Sequence, residues 1–345
     1  MELDVETLDV DAVDAYLSTH LAGYRGPLHA EKFSDGQSNP TYKLTSPSDT
    51  YVLRRKPPGI LLKSAHAVDR EYRVQRALAA SDVPVAAMHL LCEDTDIIGS
   101  SFYVMEHITG RIFFDPRLPD LSNVERSNVV KEMNRVLAAI HSVDIDAAGL
   151  SEFGPPGNYI ARQVNRWSKQ YIASETGCLP DMDRLIEMLQ ERLQGRQGEE
   201  PRTLVHGDYR IDNMMFAGTN PCCLAVLDWE LSTIGHPFAD LASVIMQWQL
   251  PPGNEGRGLE GVNRADQGLP SDEEFIASYC ERRNISVISD FGFYLAFCFF
   301  RMAAVLQGVK KRALDGNASN PERGLKMGSY VPLFAAKGLK ALGNG

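Results

Sequence analysis

The chain has no run of roughly eighteen apolar residues, the length a membrane-spanning helix needs. It also lacks a basic, apolar leader: it opens with MELDVETLDVDAVDAYL, which is acidic. The expected setting is therefore the cytoplasm, with no membrane partner. Six cysteines are present (Cys92, Cys178, Cys222, Cys223, Cys280 and Cys298), and none forms a CxxC pair. That spacing argues against a zinc site or a disulfide framework and suits reduced thiols. Basic residues are outnumbered, and the formal net charge of -10 argues against nucleic-acid binding. There is no internal repeat. What remains is an ordinary globular composition, 44% hydrophobic and 23% charged. At 345 residues the chain exceeds the usual size of one core, so two domains are expected.

The pattern along the chain changes once. Val5, Leu8, Val13 and Leu17 give a first helix one apolar face. In HAEKFSDGQSNPTYKLTSPSDTYVLRRKPPG, β-prone runs alternate with Gly, Pro, Ser and Asp clusters, which predicts hairpins. AVDREYRVQRALAASDVP predicts a helix closed by Pro84, and AAMHLLCED and SSFYVMEHITG predict strands. After Gly110 long helical patterns dominate, among them VERSNVVKEMNRVLAAIHSVD, DMDRLIEMLQERLQ, HPFADLASVIMQWQL and FGFYLAFCFFRMAAVLQGVKKRAL. PPGNEGRGLEGVNRADQGLP is Gly-rich and polar and predicts a mobile surface loop. The plan is a sheet-bearing N-lobe over 1–107 and a mainly helical C-lobe over 108–345.

One stretch, LVHGDYRIDNMMFAGTNPCCLAVLDWE, carries chemistry. Leu204 and Val205 end a buried strand, and His206-Gly207 turns the chain to present Asp208. A carboxylate there can orient or deprotonate a hydroxyl. Asn213 follows five residues on, and a hairpin turning at Gly218 to Pro221 returns Asp228 beside it. An amide oxygen and a carboxylate are hard ligands, suited to Mg²⁺ shared with phosphate oxygens. Protein kinases use the same logic, with a Lys two residues and an Asn five residues after the catalytic Asp. Here Arg210 and Asn213 occupy those offsets from Asp208.

HGDYRIDNMMF, VLDWELSTIGHPFADLA and FSDGQSNPTY resemble the signature of the aminoglycoside phosphotransferase and choline kinase superfamily. Within it they are most similar to the kinase-like domain fused to some acyl-CoA dehydrogenases, over roughly residues 30 to 330. The resemblance implies an α+β, protein-kinase-like two-lobed fold with an antiparallel-sheet N-lobe and a mainly helical C-lobe. It implies ATP or GTP as co-substrate with Mg²⁺. Asp208 and Arg210 are then the candidate catalytic residues, and Asn213 and Asp228 the metal ligands. Gly36, Gln37, Ser38 and Asn39 form a phosphate-covering turn, and the backbone of Glu106, His107 and Ile108 faces the adenine edge. Arg54 binds phosphates with Glu71 as its partner on the next helix. Strand alternation favours Arg54 over Arg55 for that role, leaving Arg55 and Lys56 solvated; a register error of one would exchange the two arginines. Asp240 is expected to cap a helix and brace the metal loop. DWE lacks the Gly of a protein-kinase DFG and no APE-like segment follows, which favours a small-molecule acceptor.

The acceptor site is expected in the C-lobe, with Arg301 and Glu230 as candidate contacts. Arg301 interrupts an apolar helix, as either a paired core cation or an anion anchor, and basic residues outnumber acidic ones after it. The C-terminal basic segment, read beside the dehydrogenase-fusion resemblance, leaves room for an anionic acceptor, a hydroxy acid or hydroxyacyl-CoA. An aminoglycoside or other antibiotic kinase is the alternative within the same chemistry. A nucleotide-binding pseudokinase module is the alternative outside it. A monomer or homodimer is expected.

Overall fold

The computed structural model describes residues 8–33, 39–57, 67–196, 200–253, 257–318 and 320–343. Helix α1 (Val10–His20) is followed by β1 (His29–Lys32), β2 (Thr41–Thr45), β3 (Thr50–Arg55), α2 (Val68–Leu78), β4 (Met88–Cys92), β5 (Phe102–Glu106) and β6 (Arg111–Ile112). Next come α3 (Asn123–His141), α4 (Tyr159–Ala173), α5 (Pro180–Gln194), β7 (Thr203–Val205), β8 (Met214–Phe216), β9 (Cys223–Val226) and β10 (Thr233–Gly235). Helices α6 (Pro237–Trp248), α7 (Asp272–Arg282), α8 (Phe291–Leu314), α9 (Pro321–Gly328) and α10 (Val331–Gly343) follow. Packing divides this α+β chain into two compact units: Met1–Ile112 with Asp212–Ser232, and Phe113–Ile211 with Thr233–Gly345.

The first unit is built on an antiparallel sheet in the order β1-β2-β3-β5-β4. Its core joins Leu8, Val13 and Leu17 at α1 to Leu44, Leu53, Phe102 and Val104 on the strands. Val68 and Tyr72 of α2 pack with Tyr103. That helix ends at Leu78, well before Pro84. The β8–β9 hairpin belongs to this unit, whereas a single cut at 107 assigns it to the helical part. The cause is backbone bonding. β8 pairs with both β6 and β9, and the Val226 N–H donates to Pro84 O at 2.9 Å. Gly110 permits the approach, because a Cβ there would lie 2.6 Å from Phe216 O.

The second unit is mainly helical. Its central helix is α8, whose residues Phe293 to Phe300 are all buried and which packs on α4, α5, α6, α9 and α10. By length and composition alone α8 could cross a membrane; its burial among five helices makes it the core of this unit. Ser122 and Ser271 close capping boxes on α3 and α7. The segment after α6 departs from the expected mobile loop in its described part. Leu259 and Leu269 are buried, the Leu259 N–H donates to Trp248 O at 2.8 Å, and Arg264 pairs with Asp272. Two leucines suffice to pin a segment that is polar by composition.

Candidate active site

In the first unit the site is built around Arg54. Strand alternation places Arg54 and Arg55 on opposite faces of β3. Arg54 Nε lies 2.9 Å from Glu71 Oε2 on α2, and its Nη2 lies 3.1 Å from Asp228 Oδ1 and 3.9 Å from Glu230 Oε2. Arg55 is buried rather than solvated: its Nε donates to Ser100 Oγ at 3.0 Å and its Nη2 to Ile98 O at 2.9 Å. Its guanidinium thus holds the loop at Ile98 and Ser100.

Glu71 is fixed from three sides. Asn39 Nδ2 donates to its Oε1 at 2.8 Å, and Tyr103 OH donates to its Oε2 at 3.1 Å, the oxygen that also faces Arg54. Burial pushes the Glu71 carboxyl up to about 7, against the pull of Arg54, and the charges of Asp228 and Glu230 push the same way as burial. Asn39, expected among the phosphate contacts, is fully buried with its amide nitrogen bonded to Glu71. Gly36, Gln37 and Ser38 lie outside the described residues. Tyr103 is an addition that the sequence did not suggest. It stands opposite Arg54 in the β3–β5 register, so only knowledge of the strand pairing could have found it.

Asp228 follows β9 with φ at 62°, a left-handed conformation that is strained for a residue other than glycine. Trp229 anchors the turn behind it, buried and donating from Nε1 to Val226 O at 2.9 Å. The Leu227 N–H donates to Asn213 O at 2.8 Å, which ties Asn213 to the residue before Asp228. Among the described residues no group of three or more His, Cys, Asp or Glu side chains could hold a metal alone. The pair present still fits Mg²⁺, which takes one or two protein oxygens and completes its shell with phosphate and water. The Arg54 cation on Asp228 agrees with a carboxylate that attracts positive charge. Glu230, expected at the acceptor, belongs with this group through Arg54. At the expected adenine edge the Glu106 N–H already donates to Ala87 O at 2.9 Å. That bond occupies the Glu106 N–H.

In the second unit β7 pairs with β10 and ends at Val205, one residue before His206. Gly207 takes φ at 85°, which glycine adopts freely, and the chain turns to Asp208. The loop hangs on Asp240. Its carboxylate accepts the His206 N–H at 2.6 Å and the Gly207 N–H at 2.9 Å, with His141 Nε2 at 3.4 Å. Burial alone would raise this carboxyl, but the His141 hydrogen bond and the nearby histidine and backbone donors hold it below the ordinary value. The α6 cap is a different residue, His236, whose Nδ1 accepts the Phe238 N–H at 3.3 Å. Burial pushes His236 down to about 4, so it is neutral and able to accept. His141 was not singled out by the sequence; it is buried, with Tyr279 OH 2.8 Å from its Nδ1.

Asp208 itself is part-exposed, and Arg210 Nε lies 3.4 Å from its Oδ1. His206 is buried, and its Nδ1 accepts the Asp208 N–H at 3.3 Å, an orienting role. Arg301 reaches the same loop: its Nη2 donates to Gly207 O at 3.3 Å, and it stacks over Phe297. It forms no ion pair among the described residues. Burial opposes its charge, while Tyr159, Cys298, Asp240 and Asp208 nearby keep it firmly protonated. The HGDxxxxN motif runs through the unit boundary, with Asp208 in the second unit and Asn213 in the first.

Comparison with known proteins places these features. The chain is 47% identical over 312 residues to acyl-CoA dehydrogenase family member 10 of Mus musculus, covering 90% of this chain and 29% of that protein. It is 42% identical over 334 residues to acyl-CoA dehydrogenase family member 11 of Homo sapiens, covering 94% and 42%. The chain thus spans less than half the length of these relatives. A crystal structure of a candidate aminoglycoside phosphotransferase from Ralstonia eutropha matches with a TM-score of 0.90 at 44% identity, over 98% of this chain and 99% of that one. An aminoglycoside phosphotransferase in ternary complex with AMP-PNP and hygromycin B shares the fold, with a TM-score of 0.63 at 16% identity over 96% and 98% of the two chains. The sequence profile of the phosphotransferase enzyme family matches residues 29–275, more than half of the chain, and the chain is a member of that family.

Proposed function

We propose that the chain moves the γ-phosphoryl group of ATP or GTP to the hydroxyl of a small anionic acceptor, a hydroxy acid or hydroxyacyl-CoA. The acceptor oxygen attacks the γ-phosphorus, the bond to the β–γ bridging oxygen breaks, and the nucleoside diphosphate leaves. Asp208 orients the hydroxyl and takes its proton. Arg210 fixes the Asp208 carboxylate. Arg54, held by Glu71, binds phosphate oxygens. Asn213 and Asp228 would hold Mg²⁺, which supplies charge neutralisation on the phosphates. Fold neighbours in complex with AMP-PNP and hygromycin B, and with ADP and spectinomycin, support a nucleotide donor and a small acceptor.

The observation that carries the anionic acceptor is Arg301. A guanidinium has five donors, and among the described residues this one makes a single hydrogen bond, to the carbonyl of the residue before Asp208. A half-buried cation without a carboxylate partner favours an anion from the ligand. An acceptor carboxylate or phosphate on Arg301 would bring its hydroxyl toward Asp208.

The test is ADP release with Mg-ATP over a panel of hydroxy acids, hydroxyacyl-CoAs and aminoglycosides. Turnover is expected with the anionic compounds. Arg301→Met should raise the acceptor KM roughly tenfold or more, the worth of a charge-assisted hydrogen bond, and spare the KM for ATP. Turnover of aminoglycosides alone overturns the acceptor class. Mg-ATP binding with no acceptor-dependent release points to a binding module.

A further inference from the structure

We propose that Asn39 is a positioning residue for the nucleotide: it sets the direction of Arg54 by holding Glu71, without itself touching the phosphates. The proposal rests on the reading of Arg54 as the phosphate-binding cation.

Asn39 is the most enclosed polar residue near this site, with no exposed surface. Its backbone is locked to the sheet, since Thr41 Oγ1 donates to Asn39 O at 3.0 Å and the Arg55 N–H donates to the adjoining Pro40 O at 3.0 Å. From that rigid base its amide donates to Glu71 Oε1 at 2.8 Å. The other oxygen, Oε2, accepts from Tyr103 OH at 3.1 Å and lies 2.9 Å from Arg54 Nε in an ion pair. Two neutral donors, one per oxygen, thus fix the plane of the Glu71 carboxylate beside Arg54.

That arrangement matters because three carboxylates compete for one guanidinium. Glu71 draws Arg54 at Nε, while Asp228 at 3.1 Å and Glu230 at 3.9 Å draw it at Nη2. With Glu71 fixed, Nε is a fixed anchor and the Nη groups remain to exchange Asp228 for a phosphate. Without the Asn39 donor, Oε1 is a buried acceptor with no partner for its charge, which is costly. The carboxylate then turns, the anchor slackens, and Arg54 shifts toward Asp228 and Glu230. The Arg54 interaction with phosphate weakens and the metal-facing carboxylate is more heavily occupied by Arg54. The sequence offers no signal for this, because Asn39 and Glu71 lie 32 residues apart and Asn39 follows a Ser in an ordinary turn-forming run.

The experiment is a double-mutant cycle on Mg-ATP affinity, read by calorimetric titration of the full chain without acceptor. Asn39→Ala should weaken Mg-ATP binding roughly tenfold, within the range of directly coupled residues. In an Arg54→Met background the same change should weaken it no further, although it lowers the melting temperature in both backgrounds. If Asn39→Ala does not fold, the isosteric Asn39→Asp enters the same cycle: it preserves volume and replaces the donor with an acceptor. Equal losses in the two backgrounds, or no loss in either, overturn the proposal. Wild-type protein that binds no Mg-ATP, or an Arg54→Met variant that binds as wild type does, overturns the nucleotide reading and the proposal with it.

Discussion

The two units each bury a carboxylate on which the site depends, and burial drives both carboxyls upward. Glu71 in the first unit rises to about 7, yet Asp240 in the second ends below its ordinary value. The difference lies in the neighbours. Asp240 has two backbone N–H donors and His141, with its charge compensated inside its own unit. Among the described residues Glu71 faces the Arg54 guanidinium together with Asp228 and Glu230, whose charges push its carboxyl the same way as burial. One network is complete and acts as a brace for the HGD loop. The other gathers three carboxylates around the Arg54 guanidinium.

The proposed acceptor chemistry rests on Asp208, and the sharpest break is there. Asp208→Ala should lower turnover by roughly 10²–10⁴-fold, the usual worth of a positioned general base. Single-turnover ADP release measures it, and wild-type rates in the variant would remove Asp208 from the mechanism. Next in size is the brace. Asp240→Ala leaves two buried N–H donors unpaired and should cost roughly 2–5 kcal/mol of stability, read from urea unfolding. The sign with pH is fixed by the lowered carboxyl: its stabilisation is present above the unfolded pKa of about 3.9 and is lost as the pH falls through the folded value. An Asp240→Ala protein as stable as wild type contradicts the brace.

The smallest effect separates the two carboxylates directly. Because the Glu71 carboxyl is raised from 4.5 to about 7, folded protein keeps a proton between those values that unfolded protein has lost. Stability of the ligand-free protein should therefore fall as the pH rises from about 4.5 to about 7, by on the order of 1–3 kcal/mol, and level off above. Glu71→Gln should remove that slope. Melting curves at pH 5 and pH 8 decide it, and an unchanged slope in the variant shows that another group titrates.

Much of this was legible in the sequence, for reasons that differ by residue. HGDxxxxN and the Asp at hairpin distance are local spacings, and a local spacing survives folding. Arg54 was legible through strand alternation, since β3 is regular. The helices were legible through their apolar periods, although α2 stops before its proline. What was not legible depends on contacts between distant segments. Arg55 looks like a solvated cation until the loop at Ile98 and Ser100 folds over it. The bond from Asn39 to Glu71 becomes visible only once α2 is placed. His141 looks like an ordinary core histidine, and its link to Asp240 spans 99 residues. The β8–β9 hairpin reads as part of the helical unit until β6 supplies its third strand.

The central proposal is that Asp228 serves the nucleotide and Asp208 the acceptor hydroxyl. Calorimetric titration of Mg-ATP into wild type, Asp208→Ala and Asp228→Asn at saturating Mg²⁺ tests it without knowledge of the acceptor. Asp208→Ala should bind within about twofold of wild type. Asp228→Asn, which loses a charged ligand on a hard cation, should bind roughly tenfold to a hundredfold more weakly. Equal weakening in the two variants, or unchanged affinity in Asp228→Asn, contradicts the division.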